Sequence, residues 1–231
     1  SFSTNNELTQ LYDEYGPSIE RYALFYKEIT SLFNFKSFHI SEKPYFQEGH
    51  YSDMDELNKH ILETIKHLDI LSMRLSKIID APNSCKLDTN DKYGYFLYCT
   101  KKRSITLEKR FKNIPNSVLN IRDDENNILF EISVSDFSYR QKDSSNVFIE
   151  CSKINELTSI LQKSVSMLKL LNQTYWCQSI DKLYTKYNQD LQKVHQFIAD
   201  LDVSSSIAKL SIQNKYCKPE FIDYPKSCVV A

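Results

Sequence analysis

Glycine is the first scarcity: the chain has three in 231 residues, Gly16, Gly49 and Gly94. A loop that cradles phosphate converges several backbone N–H groups on one anion, and it needs glycines at fixed, close spacing to do so. These three stand too far apart for a nucleotide loop or a dinucleotide fingerprint, so ATP binding through such a loop is excluded. Cysteine occurs six times (Cys85, Cys99, Cys151, Cys177, Cys217 and Cys228) but never as a CxxC pair. No zinc spacing or disulfide framework is written into that order. Long apolar runs are missing as well: none approaches the roughly 20 residues that span a bilayer, and no secretory signal opens the chain. Reduced thiols, an intracellular location and no membrane partner are the expectations. Excess charge is also lacking. At a net charge of −1 the chain as a whole offers nothing to nucleic acid, so any anion-binding surface must come from local clustering.

What is present is mostly helical periodicity. Leu8 to Phe38 reads as helix and is rich in aromatics (Tyr12, Tyr15, Tyr22, Phe25, Tyr26, Phe33, Phe35, Phe38), taken as core. Gly16-Pro17 is expected to divide it into two helices, with Pro17 in a first turn. After a turn at Pro44 to Gly49, Ser52 with Asp55, or Asp53 with Glu56, gives a helix-start signature. Met54, Leu57, Ile61, Ile65, Leu68, Leu71, Leu75 and Ile78 then recur every three or four residues, a near-heptad seam suited to a partner helix. Asp80-Ala81-Pro82-Asn83-Ser84 stops that helix, because proline lacks an N–H and restricts the residue before it.

Residues 92–149 read as a small β-rich insert. Tyr93 to Thr100 is short and aromatic. Ser117 to Ile121 and Ile128 to Val134 flank a turn, Arg122-Asp123-Asp124-Glu125-Asn126-Asn127. Val134 to Tyr139 and Val147 to Ile149 add further strand-like runs. The helical period returns with Ile154, Leu157, Leu161, Val165, Leu168, Leu171 and Tyr175, and then Ile180, Leu183, Tyr187, Leu191, Val194, Ile198 and Leu201. One very long helix or two consecutive ones both fit, since no Gly or Pro interrupts the run. The expected fold is therefore mostly α with a small β insert. One helix goes out (51–91), a β module follows (92–149), and a matching helix returns antiparallel (150–190). Helices at 1–50 and 191–231 form a shared base.

Three segments carry a family resemblance. Leu201-Asp202-Val203, followed by Asn214-Lys215-Tyr216-Cys217-Lys218-Pro219-Glu220-Phe221, resembles the MutS stretch that leads from core helices into the ATPase domain. Glu48-Gly49-His50-Tyr51-Ser52-Asp53-Met54-Asp55-Glu56-Leu57 resembles the start of that family's first lever helix, with His50 inserted and methionine for leucine. Tyr93-Gly94-Tyr95-Phe96-Leu97 with Thr100-Lys101 resembles the opening strand of its clamp. The resemblance covers nearly the whole chain, in the right order, and is weakest over residues 101–148. It implies the core, lever and clamp of a DNA mismatch-repair protein, without the mismatch-reading domain before it or the ATPase after it. ATP and magnesium would belong to the parent. The chain would hold no cofactor, would not be an enzyme by itself, and would meet mismatched or looped duplex DNA together with a second MutS subunit. The missing initiator methionine and the end at Val229-Val230-Ala231 fit a piece of something longer.

Within the expected clamp, Lys101, Lys102, Arg103, Lys109, Arg110 and Lys112 face one acid, Glu108. Phosphate-backbone binding needs such cations and tolerates variable sequence. Ser104 and Thr106 add hydroxyls, and Arg140 and Lys142 lie in the same module. A charge run is ordinarily solvated surface; the resemblance is what turns this one into a candidate DNA contact. A short nuclear-import signal at Lys101-Lys102-Arg103 is the weaker alternative. His60, Glu63 and His67 share a helical face, but a metal site wants further ligands and a solvent-facing set is expected. Tyr175-Trp176 is expected to pack internally. No catalytic triad assembles from these residues. The competing reading is a helical scaffold or adaptor whose β head binds another protein.

Overall fold

The computed structural model describes residues 2–40, 42–114, 117–123 and 125–216. In chain order the elements are α1 (Phe2–Leu32), α2 (Ser52–Ile79), β1 (Lys86–Asn90), β2 (Gly94–Thr100), α3 (Lys101–Phe111), β3 (Val118–Arg122), β4 (Ile128–Ser133), β5 (Ser138–Gln141), β6 (Asn146–Glu150) and α4 (Ser152–Asn214). Among the described residues the fold is mostly helical with two small antiparallel sheets. The chain divides into one unit, Thr30–Gln178, and another that joins Ser1–Ile29 to Ser179–Ala231; the division falls inside α1 and α4. Among the described residues, no helix is long and apolar enough to cross a membrane.

In the unit Thr30–Gln178 the apolar seams are buried over most of their length. Met54, Ile61, Leu68, Leu71 and Leu75 are buried on α2, and Ile154, Leu157, Leu161, Val165 and Leu168 on α4, while Leu57, Ile65, Ile78, Leu171 and Tyr175 are half-buried and Ile79, outside the expected seam, is buried. The two helices run antiparallel. Tyr51 and Asp53, at the start of α2, meet Tyr175 of α4: the tyrosine rings stack 3.9 Å apart and the Tyr175 hydroxyl donates to Asp53 Oδ2 at 2.6 Å. The expected capping box does not form on Ser52. Tyr51 occupies the N-cap position with no side chain capping the helix, and Asp55 instead reaches back to accept the Gly49 N–H at 2.8 Å. At the other end Asp80 turns left-handed (φ 64°), and the Ala81 N–H closes on Ser76 O at 3.2 Å, ending the helix just before Pro82.

The four-stranded sheet has the order β1-β2-β6-β5, antiparallel throughout. Its register pairs Lys86 with Tyr98, Tyr98 with Phe148, and Arg140 with Phe148. β1 lies ahead of the expected start of the β-rich segment, between the helix stop at Asp80–Ser84 and residue 92. The β3–β4 hairpin turns where expected, held by Asp123 Oδ1 accepting the Asn127 N–H at 2.8 Å; Asp124 lies outside the described residues. Val134–Asp136 is a 3-10 turn and not a strand.

The aromatic segment after α1 packs as one cluster. Phe33 is 1% exposed and lies 5.0 Å from Trp176 and 5.1 Å from Phe46, ring centre to ring centre. Asn172, buried on α4, fixes the loop beside it: Oδ1 accepts the Tyr45 N–H at 3.0 Å and Nδ2 donates to Lys43 O at 2.9 Å. A polar side chain fully buried on a helix is retained because both of its functions are satisfied.

In the other unit α1 and α4 meet through Tyr15 with Phe197, Phe25 with Tyr187, and Arg21 with Asp190 at 2.6 Å. The expected break at Gly16-Pro17 is absent, and α1 runs through Pro17 without interruption. Tertiary contacts hold both sides of the proline: Tyr15 precedes it, and Ser18, whose hydroxyl donates to Asp190 Oδ1 at 3.3 Å, follows it. They offset the missing N–H, a defect of about 3 kcal/mol in an unsupported helix. The aromatic core expected here is only partial, because Tyr12, Tyr22, Tyr26 and, in the unit Thr30–Gln178, Phe35 are exposed. The second apolar run of α4 buries Leu183 and Tyr187 but exposes Ile198 and Leu201. Residues 217–231, including Cys217, Cys228 and the Pro219–Phe221 end of the C-terminal segment singled out above, lie outside the described residues.

Asn172→Ala leaves a backbone N–H and a carbonyl unpaired and should lower stability by about 2–3 kcal/mol in urea denaturation; an unchanged midpoint would show that the loop is not docked there. The Lys186 ammonium, then the Tyr187 hydroxyl, hydrogen-bond Glu28 and hold its carboxyl below the usual range. The stability this contributes is present above the ordinary carboxylate pKa and lost as pH falls through the lowered value. Glu28→Gln should therefore flatten the acid limb of a stability–pH curve, and a curve that keeps its slope would assign that limb to other carboxylates.

Candidate nucleic-acid interface

The basic run forms a helix. Thr100 ends β2 in extended conformation, and the Lys101 N–H donates to Ser145 O at 2.9 Å, fixing where α3 begins. Ser104, Leu107 and Phe111 recur at helical spacing and form the buried side, with the Phe111 ring 4.9 Å from Phe137. That side packs against β2 and β6. Lys102, Ile105 and Lys109 fall on the opposite side and are exposed, as is Lys112 just beyond the helix.

The structure places the ten candidate residues differently from one another. Lys102, Lys109 and Lys112 point to solvent, and Lys101 is half-buried. The Arg110 guanidinium donates to Ile78 O at 2.8 Å and so ties α3 to the end of α2. Ser104 is buried and donates to Lys101 O at 2.9 Å; Thr106 donates to Lys102 O at 3.1 Å. Both hydroxyl protons are thus spent on the helix backbone. Arg103 is half-buried and acts on a buried thiol pair. Cys85 and Cys99 are the next cross-strand partners beyond Lys86 and Tyr98, and their thiols hydrogen-bond. That bond lowers Cys85, helped by Ser84, Ser76 and Arg103, while the same bond and burial push Cys99 up. The scatter of cysteines along the sequence hides this pairing.

Arg140 and Lys142 belong to a different surface. Successive strand residues face opposite ways, so Leu97, Cys99 and Ile149 share the face that α3 covers, whereas Phe96, Tyr98 and Phe148 share the other. The Arg140 guanidinium lies 4.5 Å from the Phe148 ring centre and pairs with Glu150 at 2.8 Å. Lys142 sits 4.6 Å from the Tyr98 ring centre and 3.8 Å from Asp143. Hydrogen bonds from Asn146 and Ser145 hold the Asp143 carboxyl down at about 2, so it stays charged beside Lys142. These two cations are locally neutralised and do not join the α3 surface.

No protein-family model matches the chain, and neither does any curated protein. The chemistry must therefore be read from the geometry. The first turn of α3 contains no acid and three cations, Lys101, Lys102 and Arg103. The helix N-terminus already carries about half a positive charge, so each added cation costs roughly 0.3–1 kcal/mol unless an anion is near. An anion at this end reverses that sign. Among the described residues, no group of three or more His, Cys, Asp or Glu gathers as metal ligands. His60 and Glu63 are exposed, and His67 lies edge-on to Phe130. Three further cations, Arg74, Lys77 and Arg122, line a common groove. In the sequence only the three-residue spacing of Arg74 and Lys77, off the apolar seam, marks them.

One buried polar atom beneath α3 is unmatched. Tyr139 is paired with Ile149 in register, its hydroxyl has no hydrogen-bond partner among the described residues, and burial raises its pKa. Tyr139→Phe removes an unsatisfied group without changing shape and should leave stability equal or raise it by about 1 kcal/mol. A loss of that size in thermal denaturation would reveal a partner for the hydroxyl.

Proposed function

We propose that this chain is the lever-and-clamp portion of a MutS-type DNA mismatch-repair protein, gripping the duplex backbone without reading bases and relaying the ATPase state of its parent. The observation that carries the reading is the outward face of α3. Lys102, Lys109 and Lys112 are exposed there on a helix whose other side is anchored by Leu107 and Phe111. Cations on a rigid support suit phosphates, which position a protein on DNA without specifying sequence. The order of the elements supports it too: a helix leads into a β-containing head and an antiparallel helix leaves it. ATP and magnesium would act in the parent and not on these residues. The second reading, an adaptor whose head binds another protein, draws less support. Phe96 and Phe148 of the head are buried, under Lys142 and Arg140 respectively.

The test is duplex binding across a salt series by the chain dimerised through an appended zipper. Lys102→Gln/Lys109→Gln/Lys112→Gln should lower affinity at least tenfold at low salt and reduce the log–log salt slope by up to about 3 per chain. Unchanged binding would move the DNA away from α3. No binding by the unsubstituted chain even at low salt would favour the adaptor.

A further inference from the structure

A groove of about 460 Å³ opens between α2 and the β3–β4 hairpin, lined by Arg74 and Lys77 from α2, Asn120 and Arg122 from β3, and Asn126 from the turn. No carboxylate among the described residues lines it. Arg74 and Lys77 are exposed, three residues apart on one helix face, beside the buried Leu71 and Leu75. Like charges at this spacing repel, and among the described residues neither forms an ion pair. Arg122 adds a third positive charge from the opposite wall. Its Nη1 donates to Asn126 O at 3.0 Å, which fixes the guanidinium while leaving most of its donors unused.

Two acids of the hairpin stay out of the lining: Glu131, opposite Asn120 in register, is exposed, and Asp123 is committed to the turn. Asp123 accepts from the Asn127 backbone at 2.8 Å and from its side chain at 3.1 Å. Asn120 also lines the groove, and its Oδ1 is buried without a hydrogen-bond partner among the described residues. An amide turned over about its last torsion presents N–H donors in place of that oxygen. Three convergent cations and two amides, with no described carboxylate in the lining, suit an oxyanion with several acceptor oxygens, and an arginine fork matches phosphate geometry.

We propose that this groove is a phosphate-binding site, and that its ligand is a backbone phosphate of nucleic acid. The choice of a macromolecular ligand rests on the DNA-gripping reading above; the site itself rests on its own lining, and free phosphate shares the same chemistry. The test uses the full chain, with labelled duplex DNA in one arm and inorganic pyrophosphate in the other. Binding is followed by anisotropy for the duplex and by arginine Nε–H NMR shifts for both ligands. Arg74→Gln/Lys77→Gln changes exposed side chains only; Arg122→Gln is examined separately because it also holds the turn. The pair should weaken duplex binding at least roughly tenfold at low salt and lower the salt slope by about 2.

Loss of duplex binding with pyrophosphate indifferent to wild type and variant supports a backbone site. Loss of both supports the phosphate site and broadens its ligand. Duplex binding abolished by the α3 triple substitution but untouched by the groove pair overturns this inference and leaves the α3 reading standing. The converse pattern upholds the groove and moves the grip away from α3. Failure of the unsubstituted chain to bind either ligand overturns the site outright.

Discussion

The inner face of the four-stranded sheet has to be covered, and the rest of this unit is arranged around that requirement. Leu97, Cys99 and Ile149 alternate onto one side of two short central strands and are almost wholly buried. A short strand pair is not stable in water with such a face open. α3 supplies the cover through Leu107 and Phe111, and α2 flanks β1 and β3. Once Leu107 and Phe111 face inward, helical geometry leaves Lys102, Ile105 and Lys109 facing outward. The strand period equally sends Arg140 to the far side, over Phe148. The separation of the cations into two surfaces is thus a consequence of core packing.

The long helices were legible because their apolar residues repeat over many turns, and a stripe of eight positions survives local exceptions. α3 was not. In Lys101–Phe111 only Leu107 and Phe111 mark the buried side, and Ile105, equally apolar, is exposed. Two positions do not define a period. The run also follows a strand directly, so β character was the natural extrapolation. β1 is similarly opaque: Lys86–Asn90 has one half-buried residue, and its pairing with β2 sets it. Pro17 misled for a different reason, since its local penalty is real and is outweighed by partners some 170 residues away. Asn172, 127 residues from Tyr45, leaves no pattern in the chain at all.

The candidate site was legible as chemistry and not as geometry. Counting charge picked out the basic run but treated its members as equivalent. Burial then divides them. Ser104 and Thr106 donate to their own helix, Arg110 serves the end of α2, and Arg103 sits by the thiols. Net charge hides this distribution. The value of −1 for the whole chain coexists with a helix start that carries three cations and no acid. Electrostatic interactions weaken over about 10 Å at moderate salt, so a phosphate near α3 responds to that local group far more than to acids elsewhere.

Arg110 joins the two cationic regions mechanically. The last carbonyls of a helix have no partner within it, and Ile78 O, at the end of α2, receives the Arg110 guanidinium. That bond satisfies an orphan acceptor and places a cation where the helix dipole favours one. It also fixes α3 against the helix that carries Arg74 and Lys77. Cations held by a packed framework lose less freedom on meeting phosphate than the same residues on a loop, because their backbones are already ordered. Each lysine still gives up side-chain entropy, so the contribution of any one is small. Were such a surface to meet a nucleic-acid backbone, its affinity should follow the number of phosphates reached at once, not the identity of any single residue.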